Sequence, residues 1–120
     1  DTVRQFDDAV YLHQVVVQGQ QGLKRFLDLP QAMTAFAAGQ ADGEWRVHCH
    51  VPVFLQDAGA ISTTQAQLLQ TLEACKREGF SSHLEVETYT WDVLPDALKT
   101  DSKAQAIARE LLFVKKVLMA

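Results

Sequence analysis

The sequence predicts an α/β protein built from three successive strand and helix units with parallel strands. Three observations carry that prediction. β-rich apolar runs alternate with helix-period segments three times along the chain, the pattern of parallel strands joined by crossover helices. The helical segments carry recognisable start and stop residues. Each strand segment also alternates in character from one residue to the next, which sends successive side chains to opposite faces.

The first unit opens with AVYLHQVVV, residues 9–17, and the glycines of QGQQG end it in a loop. LDLPQAMTAFAAG then reads as a helix: Asp28 is the N-cap, Pro30 sits in the first turn, Gln31 completes a capping box and Gly39 stops it. The second unit is WRVHCHVPVF followed by STTQAQLLQTLEACKREG, where Ser62 or Thr63 caps and Gln65 fits the box. Leu68, Leu69, Leu72 and Cys75 make its apolar stripe before Gly79. The third unit is HLEVETYTW, residues 83–91, then a short helical turn in DVLPDALK and a longer helix in DSKAQAIARELLFVKKVLMA. Ile107, Leu111, Val114 and Leu118 recur there at helical spacing.

The strand faces separate two architectures. Central strands of a doubly wound sheet are apolar on both faces, whereas a barrel strand turns one face to helices and the other into the lumen. Here Tyr11, His13 and Val15 oppose Val10, Leu12, Gln14 and Val16. Arg46, His48 and His50 oppose Val47, Cys49 and Val51, and Glu85, Glu87, Tyr89 and Trp91 oppose Leu84 and Val86. Three polar inner faces favour a barrel. On that face the deeper Arg46 and Glu85 read first as an internal ion pair that binds nothing, with a part in the chemistry as the alternative. His50 and Glu87 fall nearer the C-terminal strand ends, where ligands bind in parallel α/β folds. Imidazole with carboxylate suits a divalent metal (Mn, Zn, Co or Mg) or direct hydrogen bonding to a polar substrate, and both readings stay open.

Composition narrows the function classes. The 120 residues are 48% hydrophobic and 22% charged with a formal net charge of -4, enough for a single domain spanning residues 1–120. Acidic and basic residues are interspersed, so no phosphate-binding stripe forms and nucleic acid is not an expected partner. No apolar run reaches membrane-spanning length and DTVRQFDD is not a signal peptide, which makes a cytoplasmic location the default. Cys49 and Cys75 fall at apolar positions and read as free, buried thiols. The chain opens without Met, so it is expected to be a piece of a longer protein.

The order VYLHQVV, RFLDLP, WRVHCHVPVF, STTQ, HLEVETYTWDVLP and a closing helix resembles the C-terminal part of the EboE-type metabolite traffic proteins. These lie within the xylose isomerase-like, sugar phosphate isomerase/epimerase TIM-barrel superfamily. The resemblance covers nearly the whole chain and implies that the three units are the C-terminal three of a (β/α)8 TIM barrel, a partial barrel of parallel strands. It further implies that His50 (or His48) matches a late-strand metal-ligating His and that Glu87 (or Glu85) matches the final Glu. His13 falls where many members place an Asp.

The assignments that follow are His50, Glu87 and His13 as metal ligands, Glu85 and His48 as general base or orienter, and Tyr89, Trp91 and Arg46 against the substrate. The expected function is handling of a small polar metabolite, sugar-like or a secondary-metabolite precursor, by isomerase or epimerase chemistry. The alternative is a non-catalytic carrier or scaffold. Three units cannot close a barrel, so the chain is also expected to self-associate or to pair with a missing N-terminal half.

Overall fold

The structure, a computed structural model, describes residues 2–87 and 89–120, the second stretch without the side chains of Tyr89 and Thr90. The chain divides into two compact units, Asp1–Cys49 and His50–Ala120.

A hairpin organises the N-terminal unit. After a 3-10 turn at Thr2–Phe6, strand β1 (Val15–Gly19) returns through Gln20 and Gln21 into β2 (Gly22–Phe26), with Val15 opposite Phe26 and Gly19 opposite Gly22. So short a loop closes at little entropic cost. Helix α1 (Leu29–Ala37) follows, and then β3 (Glu44–Val47), which pairs with the other side of β1, Val15 opposite Val47 and Val17 opposite Trp45. The sheet order is β2-β1-β3 and both pairings are antiparallel. β2 and β3 therefore run parallel with β1 between them, a crossover split by the central strand.

Packing in this unit follows from the two-residue period. Val15 and Val17 are fully buried and form a core with Leu29, Ala32 and Ala41, against which Phe26, Met33, Trp45 and Val47 pack. Asp28 caps α1 as its sequence position predicts: its side chain accepts the N–H of Leu29 and, across fifteen residues, the N–H of His13, both at 2.9 Å. Gln31 reaches back to the N–H of Leu27 rather than to that of the cap residue. Gly43 takes φ 141°, and a Cβ there would lie 2.2 Å from the Gln18 carbonyl oxygen, so only glycine lets the loop before β3 meet β1.

The C-terminal unit is mainly helical. Residues 50–56 have no regular structure, and a minimal hairpin of β4 (Asp57–Ala58) and β5 (Ile61–Ser62) leads into α2 (Gln65–Glu78). An irregular segment to residue 87, 3-10 turns at Tyr89–Val93 and Asp96–Leu98, and α3 (Lys103–Met119) complete it. Gly79 ends α2 in the left-handed conformation, φ 63°, as its place in the sequence predicts. Thr63 Oγ1 accepts the N–H of Gln65 at 3.2 Å, while the cap position itself falls on Thr64. α3 carries a complete capping box of Ser102 and Gln105. The two helices pack together, and Leu72 and Cys75 of α2 and Ala106 of α3 are buried.

The predicted parallel units of a TIM barrel are therefore not formed: the three-stranded sheet is antiparallel, two of the three predicted strand segments enter it only at residues 15–17 and 45–47, and the third enters no sheet among the described residues. Three physical causes account for the difference. QGQQG closes a hairpin instead of leading to a helix, so GLKRF becomes a strand. The second strand stops at Val47 because the Cys49 N–H turns back to the Val47 carbonyl at 3.1 Å, and Pro52 lacks the N–H a ladder would need. Residues 83–87 alternate as a strand would but enter no ladder among the described residues. Alternation sorts side chains to two faces; it does not supply the partner a backbone needs. No helix of the described residues is long and apolar enough to cross a membrane.

Candidate functional site

Two stretches singled out in the sequence meet in the C-terminal unit. HVPVF begins three positions after the last residue of β3 and supplies His50 and Pro52; HLEVETYTWDVLP supplies Glu87, Trp91 and Leu94. Together with Glu110 from α3 they line an open recess with a cavity volume of about 30 Å³. His50 Nδ1 lies 3.4 Å from Glu87 Oε2, with the imidazole side chain 27% exposed and the carboxylate 58%. The 3-10 turn at Tyr89–Val93 places Trp91 on the wall, and the buried Leu94 closes the turn with its N–H on the Trp91 carbonyl at 3.3 Å.

Glu110 is the residue that sequence reasoning passed over. It is only 5% exposed, on the helix face it shares with the buried Ala106 four residues earlier. Its Oε2 accepts the N–H of Val53 at 3.0 Å, which answers a backbone donor in a segment without a ladder. Desolvation raises its pKa, and the Val53 hydrogen bond opposes that rise only in part. The helical period alone did not point to it, because the apolar stripe read through Ile107, Leu111, Val114 and Leu118 is rotated in the structure. Leu111 and Leu112 are more than half exposed, and the register that includes Ala106 and Glu110 turns inward. Arg109, next to Glu110, faces elsewhere, with its guanidinium 4.0 Å over the Phe54 ring and paired to Asp101.

The other assigned residues stand apart from this recess. Arg46 is 77% exposed on the outer face of β3 and pairs with Glu44 at 3.1 Å, not with Glu85. His48 is exposed, its Nδ1 2.9 Å from Gln14 Oε1. The outer position of Arg46 and His48 and the partial burial of Val47 and Cys49 follow the alternation of the sequence, but the polar face looks to the surface of its own unit, not into a lumen. Glu85 is exposed on the irregular segment before the 3-10 turn. The Tyr89 side chain lies outside the described residues.

His13 belongs to the N-terminal unit and does structural work there. It is buried, with Nε2 3.4 Å from Asp8 Oδ2 and its backbone N–H on the α1 cap. Asp8 in turn accepts the N–H groups of Val10 and Tyr11, which turns the chain before β1. The His13 N–H bond, aided by that of Leu29, holds the Asp28 carboxyl below its ordinary range although desolvation works the other way. Burial, with a contribution from the Asp8 carboxylate, pushes the Cys49 thiol up to about 11. Both cysteines are free.

Among the described residues no three His, Cys, Asp or Glu side chains are gathered so as to hold an ion; of the three residues assigned as ligands, His50 and Glu87 stand together in this recess, and His13 belongs to the other unit. Comparison of the chain with protein-family models, with curated proteins and with solved structures finds no match.

Proposed function

We propose that the recess of the C-terminal unit binds a small polar metabolite and that His50, Glu87 and Glu110 act on it as acid–base groups. One observation carries the reading: a half-open recess gathers an imidazole, two carboxyl groups and an indole around an apolar floor of Pro52 and Leu94. That is the composition of a small-molecule site, where a few polar groups orient a ligand against apolar and aromatic walls. The motifs that carry the resemblance to metabolite traffic proteins contribute His50, Glu87 and Trp91 to it.

The two carboxyl groups sit in different environments. Glu87 is solvated and engaged with His50, while Glu110 is desolvated and keeps its proton more readily. An imidazole beside a carboxylic acid is the pairing that proton-transferring isomerisations and epimerisations use, one group removing a proton and the other returning one. A carrier without turnover is the second reading, favoured by the Val53 N–H that fixes one Glu110 oxygen in the wall.

Titration of isotope-labelled protein with a panel of small polyols, sugars and amino alcohols, read at the His50 imidazole and Trp91 indole, tests the site. Saturable shifts in both rings are expected, lost in His50→Gln. Rings that stay unshifted with every compound end the proposal. Incubation of a binding ligand in D2O then separates the two readings: carbon-bound deuterium appears with an isomerase or epimerase, and none with a carrier.

A further inference from the structure

Resting on the reading of the recess as a ligand site, we infer that its ligand carries an ammonium group, which sits against Trp91 between the carboxyl groups of Glu87 and Glu110. The sign of the lining decides the class. Both Glu87 and Glu110 line the recess, and no lysine or arginine is among its described lining residues. The nearest arginine in sequence, Arg109, is occupied over Phe54 and by Asp101. A phosphate or carboxylate entering there would meet two carboxyl groups, one of them buried, with only the Glu87-paired imidazole of His50 to answer it, an arrangement that a site specific for anions avoids.

The aromatic wall favours the same class over a neutral polyol. A cation over an indole face gains from the ring quadrupole, most of all where water is displaced, and Trp is the best of the aromatic residues for this. Glu110 adds a second reason. Its charged form is disfavoured by burial and it has one backbone N–H to satisfy it, so it is the group in the wall that gains most from an arriving cation. A single ammonium answers Glu110, Glu87 and Trp91 together, whereas a hydroxyl answers one at a time. His50, already turned toward Glu87, borders the same space and would meet the uncharged end of the molecule.

Ethanolamine, ethylene glycol and glycolate are matched probes of the cationic, neutral and anionic classes, titrated into the full chain and followed at the Trp91 indole and His50 imidazole. Ethanolamine is expected to bind at least about tenfold more tightly than ethylene glycol, and glycolate not at all. Glu110→Gln, close in shape, should remove most of that preference, and Trp91→Leu supplies an independent variant should the first fail to fold. Ethylene glycol binding as tightly as ethanolamine overturns the ammonium inference and leaves the ligand site standing. A preference for ethanolamine that survives both variants also overturns it, since the selectivity then lies elsewhere. No shift with any probe overturns the inference and the site together.

Discussion

The two units of this chain bury different things. The core of the N-terminal unit is hydrocarbon: Val15, Val17, Leu29 and Ala32 are at most 1% exposed, and the polar groups near it, Asp28 and Asp8, serve backbone N–H donors. The C-terminal unit buries Ala58, Leu72, Cys75, Leu94 and Ala106 among its described residues, and it places a carboxyl group, Glu110, on the inward face of its longest helix. A buried carboxyl costs stability unless hydrogen bonds or a cation compensate, so its presence marks where the fold keeps polarity instead of maximal packing. The comparison teaches where to look for function: the polar pair buried in the N-terminal unit, His13 and Asp8, turns the chain before β1, whereas the buried carboxyl group of the C-terminal unit stands in the wall of a recess.

The largest effect that would sharpen this contrast is expected in the first unit. Val17→Asp places an unpaired charge in the hydrocarbon core and should cost about 3 to 5 kcal/mol in urea denaturation. Leu84→Asp, on a residue 49% exposed in the C-terminal unit, should shift the midpoint barely at all. Equal losses from the two would mean that residues 83–87 pack as a strand after all. Gly43→Ala comes next: with the Gln18 carbonyl 2.2 Å from the new Cβ and φ at 141°, the loop must move, at about 2 kcal/mol or more.

Opposite responses to pH give a finer test. Asp28 has its pKa lowered from 3.8, so the stability it contributes is present above that value and is lost as pH falls through its lower folded value. Glu110 has its pKa raised from 4.5, so its contribution is full below that value and is lost as pH rises through the folded one. Urea midpoints followed from about pH 2 to about pH 7 should become less acid-sensitive in Asp28→Asn. In Glu110→Gln, the decline on the rising side should flatten. Should Glu110→Gln leave that side unchanged, the carboxyl is solvated and the contrast between the units fails. The smallest effect concerns reactivity: with the thiol moved from 9.0 to about 11, Cys49 should alkylate about a hundredfold more slowly than an exposed cysteine at the same pH, measured by mass spectrometry with iodoacetamide.

The helices were legible in the sequence because their signals are local. Asp28 before Leu29, Gly79 after Glu78, and the apolar spacing of Leu68, Leu72 and Cys75 act within one or two turns, and α1 and α2 begin and end within three residues of where these signals put them. Local too was the sorting of Arg46 and His48 away from Val47 and Cys49. The sequence also brought forward His50, Glu87 and Trp91, though for the rim of a barrel that the chain does not build.

Only tertiary structure decided the rest, and the reason is the range of the interactions. A strand is completed by hydrogen bonds to residues far along the chain, so nothing within HLEVE reveals that it lacks a neighbour, and nothing within GLKRF reveals that the turn at Gln20 and Gln21 will hand it one. The rotation of α3 is of the same kind. Whether Leu111 or Glu110 faces inward depends on what α2 and the Val53 N–H offer it. A helical period allows neighbouring faces, and the choice among them lies in packing and in a backbone donor 57 residues away.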